Sequence, residues 1–167
     1  MRSLVSSVDI LVAVLMLFVI YLISTNVEQR NIGRYQYYSY YRKALFVRLA
    51  FCLIYSLVYL YYYGRGDTQY YYMGTRSIVR MAHKDFGIFL KLLIGERTPE
   101  ILSHFDRYTG WPTYFKDLYS WSICRLSVPF YLMGFGTYSG MTIVMNYILF
   151  LPIWRFYQMM VSIYHKN

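Results

Sequence analysis

The run Tyr63-Gly64-Arg65-Gly66-Asp67-Thr68-Gln69-Tyr70 places an acid between a pair of glycines and a tyrosine-rich segment. Glycines let the chain turn sharply there, and the acid then reads two ways. Asp67 is the N-cap of the following helix, or it is a carboxylate held at a membrane surface. In the second role it binds a metal–phosphate head group or acts as a general base. Arg125 interrupts an otherwise apolar segment, where an unpaired charge is costly. It clamps a phosphate through charge-assisted hydrogen bonds, or it snorkels to the head groups or pairs with Asp117. His83 and Asp85 share a His-x-Asp spacing with His104 and Asp106. Residues two apart on a helix do not share a face, so these pairs read as solvated surface rather than metal ligands. Cys52 and Cys124 lie in or beside apolar runs with no partner at metal spacing and read as small packing residues. The sequence carries no nucleophile elbow, phosphate-binding loop, dinucleotide fingerprint or zinc motif. No metal ligand or resident cofactor is therefore assigned.

These residues are carried on apolar segments. Of 167 residues, 57% are hydrophobic and only 15% are charged, against about a quarter in soluble domains. The expected fold is all-α, a polytopic membrane protein of one domain over residues 1–167. It has about three transmembrane helices, near residues 4–23, 44–63 and 141–163, plus interfacial or re-entrant amphipathic helices within 64–135. The first span has no small-x-small cleavage site after it and reads as retained rather than as a secretory leader. Residues 25–43 form a basic, tyrosine-rich polar connection at the membrane surface. Arg48, one turn inside the second span, snorkels back to the head groups, and Tyr61, Tyr62 and Tyr63 form an aromatic belt at the far end. Asp9 and Arg155 lie close enough to span ends to snorkel as well.

In the middle segment Ile78, Ala82, Phe86, Phe89 and Leu93 form one apolar stripe at helical spacing. Thr98-Pro99-Glu100 reads as a cap and first turn. Residues 121–135, broken by Arg125 and Pro129, suit a re-entrant or interfacial helix. Pro152 is placed to kink the third span.

The net charge of +9 flanks apolar runs, where anionic lipid lies. It forms no stripe with base-stacking spacing, so nucleic acid is not an expected partner. The expected partners are the lipid bilayer and other membrane protein chains. The basic segment 25–43 favours an orientation with the N-terminus outside.

The order of a span, a basic loop, a second span ending in tyrosines, and then Tyr62-Tyr63-Gly64-Arg65-Gly66-Asp67-Thr68 with Tyr70 to Tyr72 resembles a known pattern. It is similar to the N-terminal part of multi-spanning Bacteroidetes membrane proteins of the O-antigen and exopolysaccharide polymerase kind, and of related lipid-linked-sugar glycosyltransferases. Ser120 to Arg125, the glycine-rich turn and Trp154-Arg155-Phe156 carry the likeness further. The resemblance implies the bacterial inner membrane and a polyprenyl-linked sugar as substrate, with a divalent metal where transfer requires one. It implies Asp67 as the acid at a catalytic cavity, and Arg125, more loosely, as a phosphate binder. Such proteins continue into many more spans. The chain is then expected to be the front part of a larger protein, or a short relative working beside partners. The alternative is a non-catalytic subunit that stabilises a membrane complex.

Overall fold

The computed structural model describes residues 5–64 and 66–164; Leu4, at the start of the expected first span, and Arg65 lie outside them. Every regular element among the described residues is helical. Helix α1 (Ser7–Ile32) is followed by a short 3-10 turn (Gln36–Tyr40) that leads into α2 (Tyr41–Tyr61). Five shorter helices come next: α3 (Asp67–Lys84), α4 (Phe86–Ile94), α5 (Pro99–Ser103), α6 (Leu118–Leu126) and α7 (Val128–Met133). Helix α8 (Tyr138–Tyr164) closes the described chain.

Two segments, Ser7–Ile32 and Gln36–Tyr61, are long and apolar enough to cross a membrane. Their outer faces are aliphatic and aromatic: Leu11, Val14 and Phe18 on α1, and Val47, Phe51 and Ile54 on α2, are all exposed. So wide an apolar surface is costly in water and matched by lipid. Helix α8, where a third span was expected, has 27 residues, about 40 Å at 1.5 Å per residue. It is not among the segments that meet the apolar criterion. It lies between α1 and α2 and packs on each more extensively than they pack on one another. Two of its polar residues are satisfied locally or at the α1–α2 turn. Asn146 bonds the Thr142 carbonyl at 3.0 Å and Gln158 donates to the Tyr38 hydroxyl at 2.6 Å. The bundle core is Ile20, Tyr41, Leu45, Leu49, Ile143, Phe150 and Trp154, and α8 runs through Pro152 without ending there.

The middle of the chain forms a second core, built around the fully buried Trp121, Ile78, Met81 and Leu92. Tyr138 and Met141 at the start of α8 belong to this core, and Ile143 just beyond belongs to the bundle. Helix α8 therefore joins the two.

The structure corrects two expectations about boundaries. Residues 25–43 are not all connection: α1 continues past the expected end of the first span at 23 to Ile32, and the chain turns at Gly33–Tyr35. Polar contacts between the two helix ends hold this extension. Arg42 pairs with Glu28 at 3.5 Å, bonds Thr25 Oγ1 at 3.1 Å and stands 5.4 Å over the Tyr21 ring. The stripe from Ile78 to Leu93 is likewise not one helix. Asp85 is extended (φ −150°) and splits it into α3 and α4, with its side chain accepting from the Ile88 N–H at 3.0 Å as N-cap of α4. Periodicity cannot show such a break, because an Asp N-cap restarts a helix without a phase signal. Thr98 caps α5 as expected, accepting from Ile101 N at 3.2 Å with Pro99 in the first turn. Residues 121–135 divide into α6 and α7 at Ser127.

Candidate functional site

Helix α2 ends at Tyr61, and α3 begins at Asp67. Tyr61, Tyr62 and Tyr63 are all more than half exposed, and the rings of Tyr55, Tyr59 and Tyr63 follow one another, tilted, with centroids 4.5 and 5.0 Å apart. Gly64 adopts φ +71°, a left-handed conformation that glycine takes without strain. Gly66, not Asp67, is the N-cap of α3; it is extended and offers no side chain. Asp67 is instead the first helical residue, exposed, where a negative charge suits the positive end of the helix dipole.

Its carboxylate accepts a hydrogen bond from the Tyr114 hydroxyl at 2.7 Å. Tyr114 is 47 residues away in sequence and is held by its ring against Tyr70 and Tyr71, at 5.9 and 5.2 Å. Burial, and then the neighbouring Asp67 carboxylate, raise the Tyr114 phenol well above its ordinary range. A tyrosine phenol is an O–H donor at neutral pH even at its ordinary value, and this shift holds it further from ionising. The next residue along, Thr68, shares a 3.1 Å hydrogen bond with the Tyr138 hydroxyl, and Tyr72 donates to the Gly136 carbonyl at 2.8 Å. The head of α3 is thus fixed to the start of α8, and a carboxylate with a phenol donor faces outward from it. Tyr114 escapes a sequence reading because nothing local marks it; only the packing of the α5–α6 loop on α3 brings it to Asp67.

Arg125 is not at this site. The Thr75 hydroxyl donates to the Cys124 carbonyl at 2.9 Å, so Arg125 lies level with a residue eight positions, about 12 Å, along α3 from Asp67. Its Nη1 donates to the Leu93 carbonyl and its Nη2 to Ser122 Oγ, both at 3.1 Å. Leu93 is in the last turn of α4, whose C-cap Gly95 is left-handed (φ +110°). Arg125 therefore caps a helix end, where a cation is favoured, and Asp117 is occupied elsewhere as the N-cap of α6. Arg125→Ala should lower stability by about 1–2 kcal/mol, the worth of a charged hydrogen bond at a half-exposed position. Denaturant unfolding of the purified chain reads this directly; an unchanged midpoint would show that the guanidinium holds nothing.

Arg48 is five residues on from Lys43, about 8 Å further along α2. Its Nε is buried without a hydrogen-bond partner among the described residues. Asp9 is only 2% exposed. Rather than snorkelling, it accepts from Ser139 N at 3.0 Å and Ser139 Oγ at 2.5 Å, across 130 residues of sequence.

His104 Nδ1 meets the Glu100 carbonyl at 2.9 Å, and Asp106 pairs with Lys84 Nζ at 2.6 Å. The Lys84 hydrogen bond and the Thr109 and Tyr108 amides hold the Asp106 carboxyl far below the ordinary carboxylate range. Among the described residues no three His, Cys, Asp or Glu side chains gather to hold a metal. Asp67 offers one carboxylate, so a cation there would need ligands from substrate phosphates or from another chain. Burial pushes the Cys124 thiol up to about 12, which suits a packing residue rather than a nucleophile. No family model matches the chain, and neither a curated protein nor a solved structure matches it.

Proposed function

We propose that this chain is the front part of a cell-envelope glycan polymerase or glycosyltransferase of the bacterial inner membrane, active together with further spans or partner chains. The observation that carries the reading is the Asp67 carboxylate, the first residue of α3 shortly after the end of α2, bonded by the Tyr114 hydroxyl at 2.7 Å. In this reading α8 is the third span, with Asn146 satisfied by the carbonyl of Thr142 one turn back and Gln158 by the Tyr38 hydroxyl of the α1–α2 turn. The N-terminus lies outside, which keeps Arg30, Arg34, Arg42 and Lys43 in the cytoplasm and places Asp67 on the external face.

The chemistry follows from the pair. A sugar hydroxyl attacks the anomeric carbon of a polyprenyl-linked sugar, the bond to the diphosphate breaks, and Asp67 takes the hydroxyl proton as general base. Tyr114 holds the carboxylate in place. Asp67→Ala should lower glycan assembly about 10²–10⁴-fold with insertion into the membrane unchanged. Tyr114→Phe keeps the base but releases it, and should cause a smaller loss. Normal glycan from the Asp67→Ala chain would remove the catalytic reading.

A second reading, a non-catalytic subunit, is favoured by a cleft of about 730 Å³ between the α1–α2 turn and the end of α8, lined by Tyr35, Tyr37, Tyr40 and Tyr157. Aromatic surfaces of this kind suit another protein chain. Stoichiometric partners on purification in mild detergent, with glycan normal in the Asp67→Ala chain, would establish it in place of the first.

A further inference from the structure

On the side of α3 where Arg76 and Arg80 lie, a notch of about 160 Å³ opens between the helix and the loop through Thr109, Gly110 and Trp111. Arg76 and Arg80 line it one helical turn apart, and both are half-buried. Like charges at this spacing repel, and among the described residues no acid forms an ion pair with either. The Asp106 carboxylate on the same loop is already taken by Lys84 and by the backbone of Tyr108 and Thr109. Arg80 is aimed: its Nη1 donates to the Tyr108 carbonyl at 2.9 Å and its guanidinium stands 5.9 Å over the Tyr108 ring. This leaves its other donors free. Arg76 makes no hydrogen bond or ion pair with any described residue. Gly110 is left-handed (φ +78°) and passes so close to Ser77 that a Cβ there would stand 3.2 Å from Ser77 Oγ, which keeps the loop down on the helix. Trp111, at the rim, is 67% exposed, as an aromatic anchored at a lipid–water boundary would be.

We propose that this notch binds a phosphate group, with Arg76 and Arg80 as the paired donors and Trp111 as the wall beside it. Two guanidinium forks without a carboxylate partner are the recognition chemistry of phosphate. The phosphate belongs to a lipid head group or to a soluble phosphate, and the site stands apart from Asp67 and does not depend on the reading of it.

The test uses the full chain in an uncharged detergent, with tryptophan emission as the readout, because Trp121 and Trp154 are buried and Trp111 is not. Inorganic phosphate, a short-chain phosphatidic acid and, as a phosphate-free control, a short-chain diacylglycerol are titrated in turn. A saturable change with both phosphate probes assigns the site to the phosphate group itself; a change with phosphatidic acid alone assigns it to a lipid head group. In either case binding should weaken at least about tenfold in Arg76→Gln, the loss of one charged contact. Arg76 makes no hydrogen bond or ion pair with any described residue, so that variant should fold as the parent does, which its unfolding midpoint checks. Arg80→Gln should weaken binding similarly. No saturable response to either phosphate probe, a response to diacylglycerol as strong, or full affinity in Arg76→Gln would overturn the proposal.

Discussion

Gly134→Ala should destabilise the protein by about 2–3 kcal/mol, as overpacking against an unyielding neighbour does. The turn from α7 into α8 is built by backbone meeting backbone. A Cβ on Gly134 would lie 2.6 Å from the Gly140 carbonyl carbon and closer still to the Met141 nitrogen. Gly140 faces the same contact from the other side, against the Gly134 carbonyl and the Thr137 hydroxyl. Thr137 ties the turn together: its hydroxyl donates to the Gly134 carbonyl at 2.7 Å and accepts from Gly140 N at 3.2 Å. Phe135 (φ 53°) and Gly136 (φ 69°) are both left-handed, so the chain reverses within a few residues. Neither glycine can be enlarged unless α8 shifts against α7, and α8 is shared by the two cores. Gly140→Ala should cost a similar amount. Gly33→Ala is the control, since a Cβ there meets nothing within 4 Å and φ is −67°. It should be neutral or stabilising by about 0.4–1 kcal/mol through the unfolded chain. Unfolding free energies of the three variants in one detergent decide the matter. Equal values for Gly134→Ala and Gly33→Ala would show that close approach is not what holds the turn.

The long helices are legible in the sequence because long apolar runs favour helix: α2 and α8 stand within a few residues of the expected 44–63 and 141–163, whereas α1 runs nine residues past the expected end at 23. The cap at Thr98 is legible for a local reason: Ser/Thr, Pro and an acid in succession satisfy a helix N-terminus without outside help. What sequence does not show is set by distant partners. The polar end of α1 is helical because Arg42 of α2 returns to Glu28. The apolar stripe through Phe86 hides a break, since Asp85 ends one helix and caps the next with the hydrophobic phase unchanged. At the candidate site, Asp67 was conspicuous beside its glycines, whereas Tyr114 lies in a loop whose sequence has no pattern. Arg125 stood out as a charge in an apolar segment. Its partners, a main-chain carbonyl of α4 and a nearby serine hydroxyl, leave no signature by which they could be foreseen.

Asp9→Ala should cost about 3 kcal/mol, near the upper range for one buried polar group. Asp9 closes the N-terminus of α8 from another helix. Helix N-termini leave their first amides unpaired, and here Ser139 N is bonded by Asp9 while Gly140 N is bonded by Thr137. Removing the carboxylate leaves the part-buried Ser139 amide and hydroxyl without this acceptor, at a position where Asp9 itself is only 2% exposed. Asp9→Asn retains a carbonyl acceptor and should recover about half of the loss. Ser139→Ala deletes only the hydroxyl and should cost about 1 kcal/mol. In a double-mutant cycle the Asp9 and Ser139 changes should then be non-additive by about that amount; strict additivity would mean that the two side chains do not interact. The consequence reaches the candidate site, because Tyr138, adjacent to Ser139, shares its hydroxyl with Thr68 at the head of α3. Loosening α8 at Asp9 frees Tyr138, and with it the turn of α3 that presents Asp67. Asp9→Asn at a temperature where it remains folded should therefore lower any activity that depends on Asp67, and an active, fully folded Asp9→Asn chain would show that the two ends of this chain of contacts act independently.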